Sequence, residues 1–295
     1  VRAAVPALPP DLDLASRAGA VAVLRAFGVQ LRPARGQHLL VSRHILDRIV
    51  AAAALEPGDV VLEIGGGIGT LTQALARTGA RVITVEVDPR LVPVLRAVCG
   101  REPRVHVVHG DAMTLPWTAL PWTPTAVVAN LPYAIASPLL VRLLEAGTGR
   151  RLVVMVQEEV ADRLLAAPGT PAYGLLTVLV QLYARPTLVV RVPRTAFYPM
   201  PQVRSAVVRL DVHARPVRPP DRLPEVVAVA RAAFAQRRKM LRAALREVGG
   251  RRLDAAAVVA WCARAGIDPR RRGETLSVEE FARLADVRED VRERE

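Results

Sequence analysis

Apolar and polar positions change period several times along the chain, and each change marks a predicted element. Residues 59–64, 81–86 and 126–129, with a further run from Val105 to the acid Asp111, are short apolar stretches bounded by turn residues, the pattern of buried strands. Between the first two, glycine-rich residues 65–69 lead into a helix over 71–77 that Gly79 closes. Strands and helices keep alternating to Val156, the order of a doubly wound sheet. A helix is predicted over 14–27, ahead of a basic arm, Arg32-Pro33-Ala34-Arg35. Helix 158–166 precedes a turn-rich stretch, 168–174, a second helix, and apolar strands 187–192 and 205–212 that can pair as an antiparallel edge. The Pro- and Arg-rich stretch 214–220 marks a boundary. Beyond it Val226, Ala230, Phe234, Leu241 and Leu245 recur as the core-facing stripe of one helix, with Arg231, Arg238, Arg242 and Arg246 on an adjacent stripe. Ser277-Val278-Glu279-Glu280 reads as a capping box opening a last helix. Residues 1–12, rich in Pro and Ala, are expected to be disordered. The expected organisation is an N-terminal extension and helix (1–30), an α/β domain (31–213) and a small helical domain (214–295).

The strand ends carry the candidate chemistry. Asn130-Leu131-Pro132-Tyr133 aims an amide oxygen and a backbone carbonyl at one point, with an aromatic face beside it, an arrangement suited to the amino group of a flat base. Alone, it also fits a strand leaving into a Pro turn with a buried Tyr. Glu63-x-Gly65-x-Gly67-x-Gly69 lets the backbone approach a ligand closely, with the free N–H groups of a helix start behind it. It is not the dinucleotide pattern, because the third glycine of G-x-G-x-x-G falls on Thr70. Glu86 lies about 20 residues past the glycines, where a doubly wound fold sets a carboxylate on ribose hydroxyls, and Asp111 ends the next strand, positioned for an adenine edge. A lone acid at a strand end is commonly a helix N-cap. Two acids, a glycine turn and Asn130 at the ends of successive strands fit the crevice rule for open α/β sheets better.

Composition narrows the partners. A formal charge of +13, from 41 Lys plus Arg against 28 Asp plus Glu, suggests a polyanionic partner. Lys239 is the only lysine; a GC-rich genome explains the choice of Arg over Lys, but not the net excess. Cys99 and Cys262 lie far apart without ligand spacing, so neither a disulfide framework nor a metal site is expected, and a reducing cytoplasm is. The most apolar stretch, 174–192, is broken by Gln181, Arg185 and Pro186, so no membrane insertion is expected. The start lacks a basic region ahead of an apolar core, and Val1 stands where an initiator Met would.

Together the motifs resemble one family, the ribosomal RNA adenine N6-dimethyltransferases of the KsgA type, with the Erm enzymes as cousins. The likeness runs from about Leu31 to Val287. It takes in Gly36-Gln37-His38-Leu39-Leu40, the glycine turn, Glu86, Gly110-Asp111-Ala112, Asn130 to Tyr133, the segment from Gln157 to Arg163, Ala172-Tyr173-Gly174, the segment from Phe197 to Val208, and Phe234-x-x-Arg237-Arg238-Lys239. His38 stands where the family has an Asn that helps hold the methionine end of the cofactor, and Gly66 where a Pro is common. The resemblance implies a Rossmann-like class I methyltransferase sheet with a small α-helical C-terminal domain. It also implies S-adenosyl-L-methionine as cofactor, held by Gln37, His38, Leu40, Glu63, Gly65, Gly67, Gly69, Glu86, Asp111, Ala112 and Asn130. Catalysis falls to Asn130, Leu131, Pro132, Tyr133 and Phe197. The Asn130 side-chain oxygen and the Leu131 carbonyl accept the N6 hydrogens of an adenine sandwiched by Tyr133 and Phe197, although the spacing of Phe197 also suits plain core.

The reaction so implied is dimethylation of two adjacent adenines near the 3′ end of 16S ribosomal RNA, on a 30S pre-subunit, by a cytoplasmic monomer with a role in small-subunit biogenesis. An Erm-type 23S methyltransferase and a non-catalytic assembly factor are the alternatives. Leu131 and the segment from Phe234 to Lys239 favour the first reading over the Erm type, and the intact acids with Asn130 argue against loss of catalysis. Between Arg215 and Arg252 there are 11 basic and 3 acidic residues. Arg231, Arg237, Arg238, Lys239, Arg242 and Arg246 are therefore the expected RNA contacts, though a charge run alone favours a solvated helix face.

Overall fold

A computed structural model describes residues 6, 9, 12–100, 102–215 and 217–288, so the disorder expected for 1–12 falls almost wholly outside the described residues. The chain divides into two compact units, Val1–Ala161 with Thr187–Val212, and Asp162–Pro186 with His213–Glu295. The boundary expected near 213 is where the chain enters the second unit for the second time. Its first entry, at Asp162, has no compositional mark because it lies inside a helix, Glu158–Leu165.

The first unit is built on strands β1 (Val60–Ile64), β2 (Arg81–Glu86), β3 (Val105–His109), β4 (Ala126–Asn130), β5 (Arg151–Gln157), β6 (Ala184–Val192) and β7 (Ser205–Val212), in the order β3-β2-β1-β4-β5-β7-β6. The ladders from β3 through β5 are parallel, and β7 runs antiparallel to β5 from Arg151↔Asp211 to Gln157↔Ser205. Strands β6 and β7 adjoin as their apolar runs predict, with the more exposed β6 outermost. Buried side chains fill β1 at every position, the mark of a strand covered on both faces. The coverings are helices α1 (Arg17–Ala26), α2 (Arg43–Ala53), α3 (Thr70–Ala76), α4 (Leu91–Cys99) and α5 (Ala136–Glu145).

Ile45, Leu46 and Ile49 of α2 share a core with Val61, Val128, Val153 and Val207, while Ala20, Val23 and Leu24 of α1 pack with Ile68, Leu91 and Val94. Each such Val, Leu or Ile side chain, taken fully out of water, contributes roughly 1.5–3 kcal/mol before ordering costs. Helix α1 starts at Arg17 and not at 14, because the Ser16 hydroxyl accepts from Gly19 N and caps it there. At the amino ends of the strands, Arg150 grips Asp59 with two bonds of 2.7 and 3.0 Å, and Thr125 donates to the same carboxylate. The Arg150 guanidinium holds the Asp59 carboxyl well below the usual carboxylate range.

The second unit is helical. Trp261, Phe281, Tyr173, Val226 and Leu241 are buried in one core, where Tyr173 Oη donates to Leu276 O (2.6 Å) and Trp261 Nε1 to Leu284 O (2.8 Å). Tyr173 of the Ala-Tyr-Gly motif is thus a packing residue here. The single long helix expected through Leu245 is two: Leu223–Ala235 and Leu241–Ala244. The break has a backbone cause, since Leu241 N donates to Arg271 O and Arg242 N to Pro269 O, and these N–H groups cannot also serve an intrahelical ladder. Leu241 and Leu245 still reach the core, but Arg231 and Arg242 do not share one helical stripe. The capping box at Ser277 and Glu280 forms as read.

Candidate active site

One cavity gathers the carboxyl ends of β1, β2, β3 and β4, at the switch point where β1 has β2 on one side and β4 on the other. Strand β1 leaves into Gly65 (φ 81°) and Gly67 (φ 58°), both left-handed, as close backbone approach requires. A Cβ on Gly67 would come within 3.2 Å of Leu39. Gly69 faces elsewhere. It caps α3, and a Cβ there would lie 2.8 Å from Cys99 Sγ, so it serves packing against α4 and does not line the cavity. A Cβ on Gly66 would fall 2.3 Å from Thr84 Oγ1, which explains why glycine stands where a Pro is common.

Glu86, 6% exposed at the end of β2, accepts from Gly67 N (2.9 Å) and from Asp88 N (2.9 Å), one bond on each oxygen. Burial pushes its carboxyl up, and the backbone N–H bonds oppose that shift. Each oxygen keeps lone-pair capacity for a further donor. Beside it Val87 is 59% exposed, an apolar side chain left open on the cavity wall. Asp111 is exposed and turns one oxygen onto Met113 N (2.8 Å); with Gly110 and Ala112 it forms the wall below β3.

Asn130 donates from Nδ2 to His38 O at 3.2 Å. A carbonyl oxygen can only accept, so the NH₂ end must face it, and Oδ1 is left available to a donor. Pro132 and His38 also line the cavity. Gln37 lines it too, but both ends of its amide are engaged: Nε2 donates to Asp88 Oδ2 (2.7 Å), and Oε1 accepts from Arg32 N (2.7 Å). Asp88 in turn accepts from Arg90 Nε (3.0 Å), whose guanidinium holds its carboxyl well below the usual range and also reaches Gln30 O (3.0 Å). This network ties the basic arm to the end of β2.

Several expected site residues lie behind the wall. Leu40 and Phe197 pair with each other across a short antiparallel bridge and sit in the core at 6% and 4% exposure, so Phe197 offers no open face to a base in this arrangement. Leu131 is buried, with its N–H on Met155 O. Tyr133 is set back, its hydroxyl against Ser205 Oγ (2.8 Å), and burial raises its phenol. Glu63 is 1% exposed, accepts from Thr72 Oγ1 (2.5 Å), and is pushed up to about 7 by burial. Neighbouring Cys99 is pushed up to about 12 by burial, which leaves its thiol inert. Leu31, Val87, Asp88 and Ile135 line the cavity without having been expected there. Val87 and Asp88 directly follow Glu86, and that adjacency was the available signal.

On the second unit, Arg231, Arg238, Lys239, Arg242 and Arg246 are exposed and make no side-chain hydrogen bond or ion pair among the described residues. Arg237 differs. It is paired with Glu274 (3.0 Å) and donates to Pro171 O (2.7 Å) and Tyr173 O (3.2 Å), so it braces the fold. Among the described residues no cluster of His, Cys, Asp and Glu could hold a metal ion, and no helix is long and apolar enough to cross a membrane.

Comparison with known proteins gives the family. Residues 28–289 match the family described as "Ribosomal RNA adenine dimethylase". The ribosomal RNA small subunit methyltransferase A of Phenylobacterium zucineum is 46% identical over 267 residues, covering 90% of each chain. Among solved structures, a dimethyladenosine transferase from Plasmodium falciparum (TM-score 0.68, 28% identity) covers 82% of this chain and 94% of its own. The 23S rRNA methyltransferase ErmE (TM-score 0.65, 31% identity) covers 84% and 98%.

Proposed function

Because the chain belongs to the ribosomal RNA adenine dimethylase family, we propose that it transfers methyl groups from S-adenosyl-L-methionine to N6 of two adjacent adenines near the 3′ end of small-subunit ribosomal RNA, acting as a cytoplasmic monomer on a 30S precursor. The observation that carries the reading is Asn130, whose pinned amide leaves Oδ1 free on the wall of the cavity that also holds Glu86.

The donor set fits the cofactor. Glu86 has acceptor capacity for a pair of vicinal hydroxyls, Gly65 and Gly67 leave the wall without side chains, and Val87, Ile135 and Leu31 give a flat ring an apolar bed. Bound there, S-adenosylmethionine supplies an electrophilic methyl group on a sulfonium. The protein's own task is to present a nucleophile in line and keep its lone pair available. Asn130 Oδ1 and the Leu131 carbonyl accept the two N6 hydrogens and draw the lone pair out of conjugation with the ring, so no strong base is needed. Pro132 shapes the turn that brings these acceptors together for an extruded base, and Tyr133, set back against Ser205, supports that turn from behind. Glu63, Gly69 and Leu40 support the wall from behind.

Primer-extension mapping of ribosomal RNA from cells with and without the protein tests the assignment. Stops at two adjacent adenines near the 3′ end of the small-subunit RNA are expected. A stop in large-subunit RNA would favour the Erm-like reading that the ErmE likeness keeps open, and no change in either RNA would sink the enzyme assignment.

Replacing Glu86 by Ala is expected to weaken S-adenosylmethionine binding by about 1.5–3 kcal/mol, since charge-assisted bonds to hydroxyls are lost. Calorimetry on the folded variant checks this, and unchanged affinity would remove Glu86 from the site. RNA contact is assigned to the exposed cations of the second unit. Changing Arg238, Lys239 and Arg242 together to Ala should weaken RNA binding and flatten its salt dependence by about 0.9 or less per lost phosphate contact in the log-log slope. Cofactor affinity should not move. An unaltered slope would mean that these side chains face only solvent.

A further inference from the structure

His38 is a departure from the family motif that stands on the cavity wall itself, and its surroundings give the imidazole a task. We propose that His38 is a positioning residue that joins the segment 197–201 to the Asn130 amide, so that this segment and the N6 acceptor are held as one unit. The inference rests on the methyl-transfer reading above.

Leu39 and Leu40 pair antiparallel with Tyr198 and Phe197, a register that brings residue 38 opposite Pro199. Proline has no N–H to extend the ladder. The His38 ring takes over, with Nδ1 2.7 Å from the Pro199 carbonyl oxygen. Since that oxygen only accepts, Nδ1 must carry a proton. Imidazolium keeps the same donor, so the bond exists in both charge states of the ring. The carbonyl of this residue is also the acceptor that orients Asn130 Nδ2. Its ring stacks on Tyr133, with centroids 6.2 Å apart and planes 23° from parallel. The hydroxyl of Tyr133 meets Ser205 at the start of β7. Two segments remote from it in sequence therefore converge on His38, 197–201 at its ring edge and 130–133 at its ring face and backbone.

Two substitutions separate the roles. His38→Phe keeps a ring but removes the donor, and His38→Asn restores a shorter donor. Single-turnover methyl transfer to undermethylated small subunits is expected to fall about tenfold in kcat/KM for His38→Phe, as for the loss of one buried hydrogen bond at a reacting geometry. His38→Asn should recover part of the loss, and because His38 lines the cofactor cavity, any loss of S-adenosylmethionine affinity in His38→Phe should be smaller than the loss in kcat/KM. Nitrogen-15 NMR of the wild-type protein, with the His38 signals assigned by their absence from His38→Phe, should show the proton of the neutral ring on Nδ1. A proton on Nε2, wild-type kcat/KM in His38→Phe, or an activity loss matched by an equal loss of cofactor affinity would each overturn the assignment. If the wild-type protein itself methylates no small subunit, the proposed function fails, while the NMR result still decides whether His38 holds Pro199.

Discussion

Asn130→Ala is expected to lower methyl transfer about a hundredfold to a thousandfold while leaving S-adenosylmethionine binding nearly intact. The geometry sets this expectation: Nδ2 is committed to the His38 carbonyl at 3.2 Å, so the amide cannot rotate freely, and Oδ1 waits as a preorganised acceptor. As N6 gains positive charge in the transition state its hydrogens become better donors. The bond to Oδ1 therefore strengthens between ground state and transition state, which places its loss on turnover and not on affinity. Removing one such preorganised contact typically lowers rate by about 10²–10³. Single-turnover transfer of labelled methyl to an undermethylated small subunit measures it. A variant within a few-fold of wild type would rule out the role given to Asn130, though not the fold.

Glu63→Gln is expected to stabilise the protein at alkaline pH by up to about 3 kcal/mol. Burial raises the Glu63 carboxyl from 4.5 to about 7, and each pH unit of difference between folded and unfolded states is worth about 1.36 kcal/mol. The folded protein holds the proton more tightly than the unfolded chain. Stability from this group is therefore complete below 4.5, falls as pH rises from 4.5 to about 7, and stays lowered above that. Glutamine cannot ionise and keeps an oxygen for the Thr72 hydroxyl, so the gain should be near zero at pH 4.5 and full at pH 8. Urea denaturation at the two pH values checks it. Glu86, also raised by burial, contributes a slope of the same sign, which the comparison with wild type cancels. An equal ΔΔG at both pH values would mean that folding does not shift the Glu63 carboxyl, which then titrates alike in the folded and unfolded chain. A large loss of cofactor affinity in Glu63→Gln would return this carboxyl to the list of cofactor ligands.

The elements were legible where the period of apolar residues was long and clean. Strands β1, β2 and β4 and the glycine turn fall where the pattern predicts them, because burial on both faces leaves an unbroken apolar run ended by residues that only a turn accepts. The helix expected through Leu245 shows the limit. Its apolar spacing is right and its core residues are buried, yet it breaks after Ala235, since N–H groups at Leu241 and Arg242 find partners at 269–271, which no local pattern can announce.

What the sequence determined by itself was the family, the order of strands and helices, and the polar residue at each strand end, for these depend on residue identity and local spacing alone. Only the tertiary structure decided which of those residues face the cavity. Glu63 and Glu86 both belong to buried strands, yet one carboxyl turns to Thr72 behind the wall and the other to Gly67 on it. Gly65 and Gly69 share a positive φ, yet one borders Asn130 and the other packs on Cys99. Phe197 and Leu40 carry motif positions but meet each other in the core. The physical reason is common to all three. At these positions local sequence sets the element or turn, while the direction in which a side chain finds its partner depends on segments many residues away that come together only when the sheet and its coverings have packed.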